Sequence, residues 1–270
     1  MSEVMIYGQE ADTRLPARWT ASRILHTFSK VQYLNRYNHE FVMQMETGWS
    51  SGRGRFIRAV AEPDVPINLP LAALFLASEE YPDLDIVAYL GRISLLAQRV
   101  RETLPPRRST YDLINAINRV LYDEENFLGN ARDYYDPRNS YLSDVLDRRL
   151  GIPISLSILY QDVARQCECV MRAVAMPGHF LLVAGEGRSE IYVDAFNRGS
   201  LLSRRECVNI LTGGRKNSRD AILGLTKRFL TPIGSRAILT RMLLNLKLIY
   251  VGRKDYPRAL AAAERLRIVN

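Results

Sequence analysis

His179 follows Pro177-Gly178 and opens the apolar segment His179–Ala184, and Asp194 lies fifteen residues further on, near the end of the segment Glu190–Ala195. Gly185-Glu186-Gly187 separates the two segments and is a turn signal, so they read as antiparallel neighbours that bring the two side chains together. An imidazole beside a carboxylate is the base half of nucleophilic acyl transfer. The carboxylate fixes the imidazole tautomer and supports its cationic form, while the imidazole activates a thiol or hydroxyl. A histidine bonded to an aspartate can equally well do no more than stitch two strands together, and the residue types leave both roles open.

Such a pair needs a nucleophile, and the candidates are few. Ser155 and Ser157 lie in the apolar run after Gly151-Ile152-Pro153. Cys207 falls in the first turn behind Ser203, beside Arg204 and Arg205, a setting that favours a thiolate. Cys167 and Cys169 fall near the end of the run that contains Ser155, where a helix dipole disfavours a thiolate. Asp136, Asn139, Ser140 and Asn197 are turn residues suited to lining a cleft, and turn capping explains them equally well. Three cysteines cannot all pair and make no zinc quartet, so reduced thiols are expected, with no metal and no cofactor.

Several elements must position these groups. Pro153, at the first turn of its helix, begins a helix that runs to about Gln166. Val170–Ala175 reads as a third strand and Tyr141–Arg149 as a short helix. Upstream, apolar residues recur at helical spacing over Ala21–Glu46, Leu69–Glu80 and Leu84–Leu104, and Ser109 with Asp112 forms a capping box opening a helix through Tyr122. The stretch Gly48–Pro66 is rich in Gly, Ser, Arg and Pro and reads as a loop, with Gly52 and Gly54 lacking the strand and helix cap of a phosphate loop. Ser203 with Glu206 forms a second capping box, and Gly213-Gly214 ends that helix. Arg236–Tyr250 and Tyr256–Leu266 form a helical hairpin in which Leu243, Leu246, Tyr250 and Ala259 take tetratricopeptide spacings.

The 270 residues carry a net charge of +8 with 47% hydrophobic and 24% charged residues, the balance of a folded globular chain rather than a disordered one. The longest apolar runs are about half of the roughly 20 residues a membrane helix needs, and Met1-Ser2-Glu3 does not begin a signal region. A cytoplasmic location with no membrane partner is expected. The arginines fall in small groups (Arg53, Arg55, Arg58; Arg107, Arg108; Arg148, Arg149; Arg204, Arg205; Arg215, Lys216, Arg219) separated by acids and without interleaved aromatics. That pattern points to a solvated basic surface, with nucleic-acid binding the weaker reading. Glu79, Glu80, Asp83 and Asp85 gather at a helix break as a cap and solvated face, and His26 and His39 are too far apart to share a metal.

Four blocks together carry a resemblance: Tyr134-Tyr135-Asp136-Pro137-Arg138-Asn139-Ser140-Tyr141-Leu142, then Arg148-Arg149-Leu150-Gly151-Ile152-Pro153-Ile154-Ser155-Leu156, then Pro177-Gly178-His179-Phe180, then Val193-Asp194-Ala195-Phe196-Asn197-Arg198-Gly199. Over about residues 69 to 265 the chain resembles the SirB-type family of transglutaminase-like proteins, which continue into tetratricopeptide-like helices. The resemblance implies an α+β fold: an N-terminal helical bundle over 21–128, a transglutaminase-like (papain-like) helix-plus-antiparallel-sheet core over 129–214 and a C-terminal helical hairpin over 215–270. It also implies that the cysteine of catalytic relatives would begin the buried helix, at or beside Pro153, where this chain has none. Two functions follow: a non-catalytic module that binds a protein or peptide partner, or a peptide-amide hydrolase or acyltransferase in which His179 and Asp194 serve an atypical nucleophile such as Ser155, Cys207 or water.

Overall fold

Helix-forming periodicity and close packing together account for the first half of the molecule. The computed structural model of the protein describes residues 51–61, 67–215 and 218–270, so the helix expected over Ala21–Glu46, with His26 and His39, lies outside the described residues. The segment expected to be a loop contains a helix, α1 (Gly52–Ala61). Phe56 and Val60, four apart, are fully buried. A Cβ on Gly52 would come within 2.5 Å of Ser78 Oγ and 3.0 Å of the Glu79 amide nitrogen. Gly52 is therefore a close-packing position, and its resemblance to a helix breaker is what hid α1 in the sequence.

Helix α2 (Leu69–Ala77) is buried along its whole length and is capped by Asn68, whose side chain accepts from the Leu71 amide. A helix apolar on every face must lie in the interior. Helix α3 (Ile86–Thr103) starts at the Asp85 cap, and α4 (Thr110–Asn118) starts at the Ser109–Asp112 capping box. The expected continuation of α4 to Tyr122 is instead a π-helical turn, Arg119–Glu124. A short parallel pair, β1 (Leu128–Gly129) with β2 (Leu150–Gly151), ties the next loop to helix α5 (Leu142–Arg148) and to the central helix α6 (Pro153–Gln166).

The main sheet is antiparallel and runs in the order β6-β5-β4-β3-β7, with β3 Arg172–Met176, β4 His179–Ala184, β5 Ile191–Asp194, β6 Ser200–Leu202 and β7 Pro232–Ile233. Strands β6 and β7 extend the three expected strands and are too short for an alternation pattern to reveal them. Side chains alternate between two faces. Phe180, Leu182, Ala184 and Val193 join the core built on α6. Val174, Met176, Leu181, Val183 and Tyr192 face the other way, packing with Cys207 of α7 (Arg204–Thr212) and with Leu230, which follows α8 (Arg219–Phe229).

Helices α9 (Ser235–Gly252) and α10 (Tyr256–Val269) form the C-terminal hairpin. Leu243, Leu246, Tyr250 and Ala259 are buried in the same apolar cluster that begins at Phe56, so the hairpin is part of the main core. Ion pairs from Arg258 to Glu80 and Arg265 to Glu79 fasten it at the α2–α3 break, and Arg53 of α1 pairs with Glu264 of α10. Of the acidic cluster read as cap and solvated face, Asp85 is the cap, while Glu79 and Glu80 bind the hairpin.

The dispersed arginine groups have a similar explanation. Arg108, Arg148, Arg149 and Arg204 pair with Glu168, Asp136, Glu125 and Glu190. No described helix is long and apolar enough to cross a membrane.

Candidate functional site

Strand pairing brings the two expected residues together. His179 is the first residue of β4 and Asp194 the last of β5, and His179 Nδ1 lies 3.6 Å from Asp194 Oδ2. That separation is within ion-pair range but too long for a direct hydrogen bond. The His179 side chain keeps 35% exposure, against 6% for Asp194, so the imidazole is the accessible member.

Asp194 is held by its own turn. Its Oδ1 accepts from the amides of Phe196 (3.1 Å) and Asn197 (3.2 Å), and its Oδ2 accepts from Asn197 Nδ2 (2.9 Å). An aspartate that bonds its own following backbone makes such a turn rigid. The turn is then clamped from the α4 side. Tyr122 donates to the Ala195 carbonyl (2.7 Å), Asn118 Nδ2 donates to the Gly199 carbonyl (2.9 Å) and Arg198 pairs with Asp123 (2.6 Å). Gly199 has φ +68°, and a Cβ there would fall 1.9 Å from Asn118 Oδ1, so glycine is required twice over.

The π-helical turn thus holds Tyr122 and Asp123 on the loop that carries Asp194, in keeping with the frequent placement of π-turns at functional sites. Asn118, Tyr122 and Asp123 are positioning residues that the sequence did not disclose. Each meets its partner across more than seventy residues, and no local pattern encodes such a contact. Phe196 of this turn packs edge-on against Tyr134, with ring centroids 6.4 Å apart, and Arg241 of α9 lies over Phe180 at 5.9 Å. Tyr135 beside them is 70% exposed.

The other expected site residues lie elsewhere. Ser155 is fully buried in the first turn of α6. Its Oγ donates to the Asn139 carbonyl (2.6 Å) and accepts from the Ile152 amide (3.1 Å). Asn139 is also fully buried, donating to the carbonyls of Asp133 (2.7 Å) and Tyr134 and accepting from Asn130 Nδ2 (3.1 Å). Asp136 is 2% exposed between Arg138 and Arg148. Burial alone would raise its carboxyl, but Arg138, its backbone amide and Arg148 more than reverse that and hold the carboxyl below its ordinary value. Ser140 is buried as well. These residues build the socket for the α6 N-terminus, whereas Asn197 is the one of the four cleft candidates that is exposed and tied to Asp194.

Cys207 is fully buried against the opposite sheet face, among Val174, Met176, Leu181 and Tyr192. Burial, with Glu206 adding to it, pushes its thiol up to about 11, the reverse of the thiolate-favouring setting expected from Arg204 and Arg205. The charge of Arg204 is directed at Glu190. Neither Ser155 nor Cys207 forms a hydrogen bond with His179 among the described residues. The described residues hold no group of three His, Cys, Asp or Glu side chains able to bind a metal.

A mixed fold in which a buried helix backs an antiparallel sheet with His and Asp on adjacent strands defines the class, and the chain belongs to the transglutaminase-like superfamily, whose profile matches residues 87–244. Among individual proteins, it is 34% identical over 206 residues to a UPF0162 protein of Xylella fastidiosa (strain 9a5c), an alignment covering 75% of this chain and 72% of that one. It is 29% identical over 150 residues to a UPF0162 protein of Vibrio cholerae, covering 55% and 54% of the two chains. It is also 46% identical over 151 residues to F-box only protein 21 of Mus musculus, covering 53% of this chain and 22% of that one. No solved structure matches it significantly.

Proposed function

We propose that this chain is a protein-binding module on a transglutaminase-like core, in which His179, Asp194 and Asn197 serve recognition rather than amide chemistry. One observation carries the reading: the hydroxyl of Ser155, two residues after Pro153, beside which catalytic relatives would place their cysteine, is committed to the Asn139 carbonyl and sealed from solvent. The thiol of Cys207, the other candidate, is protonated near neutral pH and buried. The match to F-box only protein 21 spans about a fifth of that protein, which favours a module that works beside other domains. The aromatic rim of exposed Tyr134 and Tyr135 and half-buried Phe196 supplies rigid contact area of the kind that dominates interface energetics. The α9–α10 hairpin, read as tetratricopeptide-like, adds the exposed apolar side chains of Leu244 and Leu248. The same reading divides the chain into 21–128, 129–214 and 215–270 and takes a cytoplasmic setting, in keeping with three cysteines that cannot all pair.

A second reading keeps the pair chemical: His179, one-third exposed beside a carboxylate, would activate a water molecule against a peptide amide. One experiment separates the two. Peptides selected from a display library on the full chain are expected to bind at least about tenfold more weakly to Phe196→Ala and Tyr135→Ala variants, while amide substrates and amine donors show no turnover above background. Turnover that disappears in His179→Ala would replace the binding reading with the hydrolytic one.

A further inference from the structure

The break between α2 and α3 faces the start of α5 across a cleft of about 460 Å³. Its walls include Glu80, Asp83, Asp144 and Asp147, together with Tyr81 and Tyr89. Four carboxylates in one cleft are unexpected on a chain of net charge +8. The Tyr81 hydroxyl donates to Asp144 (2.8 Å) and the Tyr89 hydroxyl to Asp147 (2.6 Å), so both rings are held in the wall.

The charges do not balance within the cleft. Glu80 pairs with Arg258 and Asp147 with Arg92. Asp144 has the neutral Tyr81 hydroxyl as its bonded partner, and exposed Asp83 forms no ion pair among the described residues. Burial, with the Asp147 charge adding to it, raises the Asp144 carboxyl above its ordinary value, and the Tyr81 hydroxyl and the Arg148 and Arg138 charges do not cancel that rise. A separate observation points the same way. Ser143, in the same wall, is 2% exposed, and its hydroxyl has no hydrogen-bond partner. A buried polar atom left unpaired is unfavourable, and a hydrogen bond from a bound group would relieve it.

The described residues offer no three-ligand metal cluster here, and tyrosine rings beside carboxylates suit an organic cation better than a hydrated ion. We propose that this cleft binds an alkyl guanidinium or ammonium group, with Asp144 and Asp83 as counter-charges, Tyr81 and Tyr89 as aromatic walls and Ser143 as an additional polar partner. The site is formed by residues other than His179 and Asp194 and does not depend on the reading of that pair.

Calorimetric titration of the full chain at low salt tests it with four probes: N-acetyl-Gly-Arg-Gly-amide, the same peptide with norvaline in place of arginine, agmatine and magnesium chloride. The arginine peptide or agmatine is expected to bind, and whichever binds tighter identifies the source as a partner's side chain or a free amine. Asp144→Asn is expected to weaken that binding about tenfold or more. Asp83→Lys, an exposed charge reversal with little consequence for folding, is expected to do the same. The proposal is overturned if neither cation binds, if the norvaline peptide binds equally well, if magnesium alone binds, or if both variants retain wild-type affinity.

Discussion

At the N-terminus of α6, Asp136, Asn139 and Ser155 are each at most 2% exposed, and their side-chain bonds run to backbone groups, to the Asn130 side chain or to arginines that sit on them. At the ends of β4 and β5, His179 is 35% exposed and meets a single carboxylate at 3.6 Å. Both centres are polar, and the sequence offered both as cleft residues. What separates them is the supply of partners. A side chain whose donors and acceptors are all consumed inside the protein contributes stability, whereas one left with a single long contact remains available to a ligand.

That contrast predicts a graded series of effects. Asn139→Ala should be the most damaging, costing about 3–4 kcal/mol, because it leaves the buried Asn130 side-chain amide and the Asp133 and Tyr134 carbonyls without their partner. A smaller fall in the denaturant midpoint at constant slope would move Asn139 out of the sealed class. Cys207 in the native protein should alkylate about 100-fold more slowly than an unfolded thiol at pH 8, since its pKa of about 11 against an ordinary value of 9.0 lowers the thiolate fraction by that factor. Fast labelling by iodoacetamide, read by mass spectrometry, would restore it as a nucleophile.

Gly199→Ala should cost about 2–3 kcal/mol, because φ +68° and the Asn118 side chain both oppose a Cβ. It should also perturb the His179 imidazole resonances by loosening the Asp194 turn, which a purely local strain would not do. The acid limb of stability tests the sealed socket next. Asp136 and Glu125 both sit below their ordinary values: burial opposes the shift, and Arg138 and Arg148 in one case, Arg149 and Arg99 in the other, outweigh it. A depressed carboxyl contributes stability that is complete above its unfolded pKa and lost as pH falls through the folded value. The melting temperature should therefore drop below about pH 4, and Asp136→Asn should flatten that drop.

The smallest effect belongs to the open centre. His179→Ala should change stability by less than about 0.5 kcal/mol, as expected for a part-exposed ion pair at long range. A loss above about 2 kcal/mol would assign His179 to the structural class and end its candidacy as a binding residue.

Legibility followed the range of the interaction. Helix α6 was readable from Pro153 at its first turn and the apolar run behind it, and the β4–β5 pairing from Gly185-Glu186-Gly187 between two apolar segments. Helix α1 was not, because Gly52 signals a break in sequence and a close approach to Ser78 in space. The π-turn was hidden within a good helical pattern, and β6 and β7 were shorter than one alternation.

The sequence by itself therefore determined the described helices other than α1 and α8, the central hairpin and the adjacency of His179 and Asp194, all properties of neighbouring residues and their periodicity. Only the tertiary structure decided which polar groups were already occupied. Ser155 meets the Asn139 carbonyl across sixteen residues, Gly199 meets Asn118 across eighty-one, and Cys207 is enclosed by three strands and the residue after α8. Whether a hydroxyl or thiol is reactive depends on the partners and burial it acquires on folding, and those come from segments that no local pattern connects.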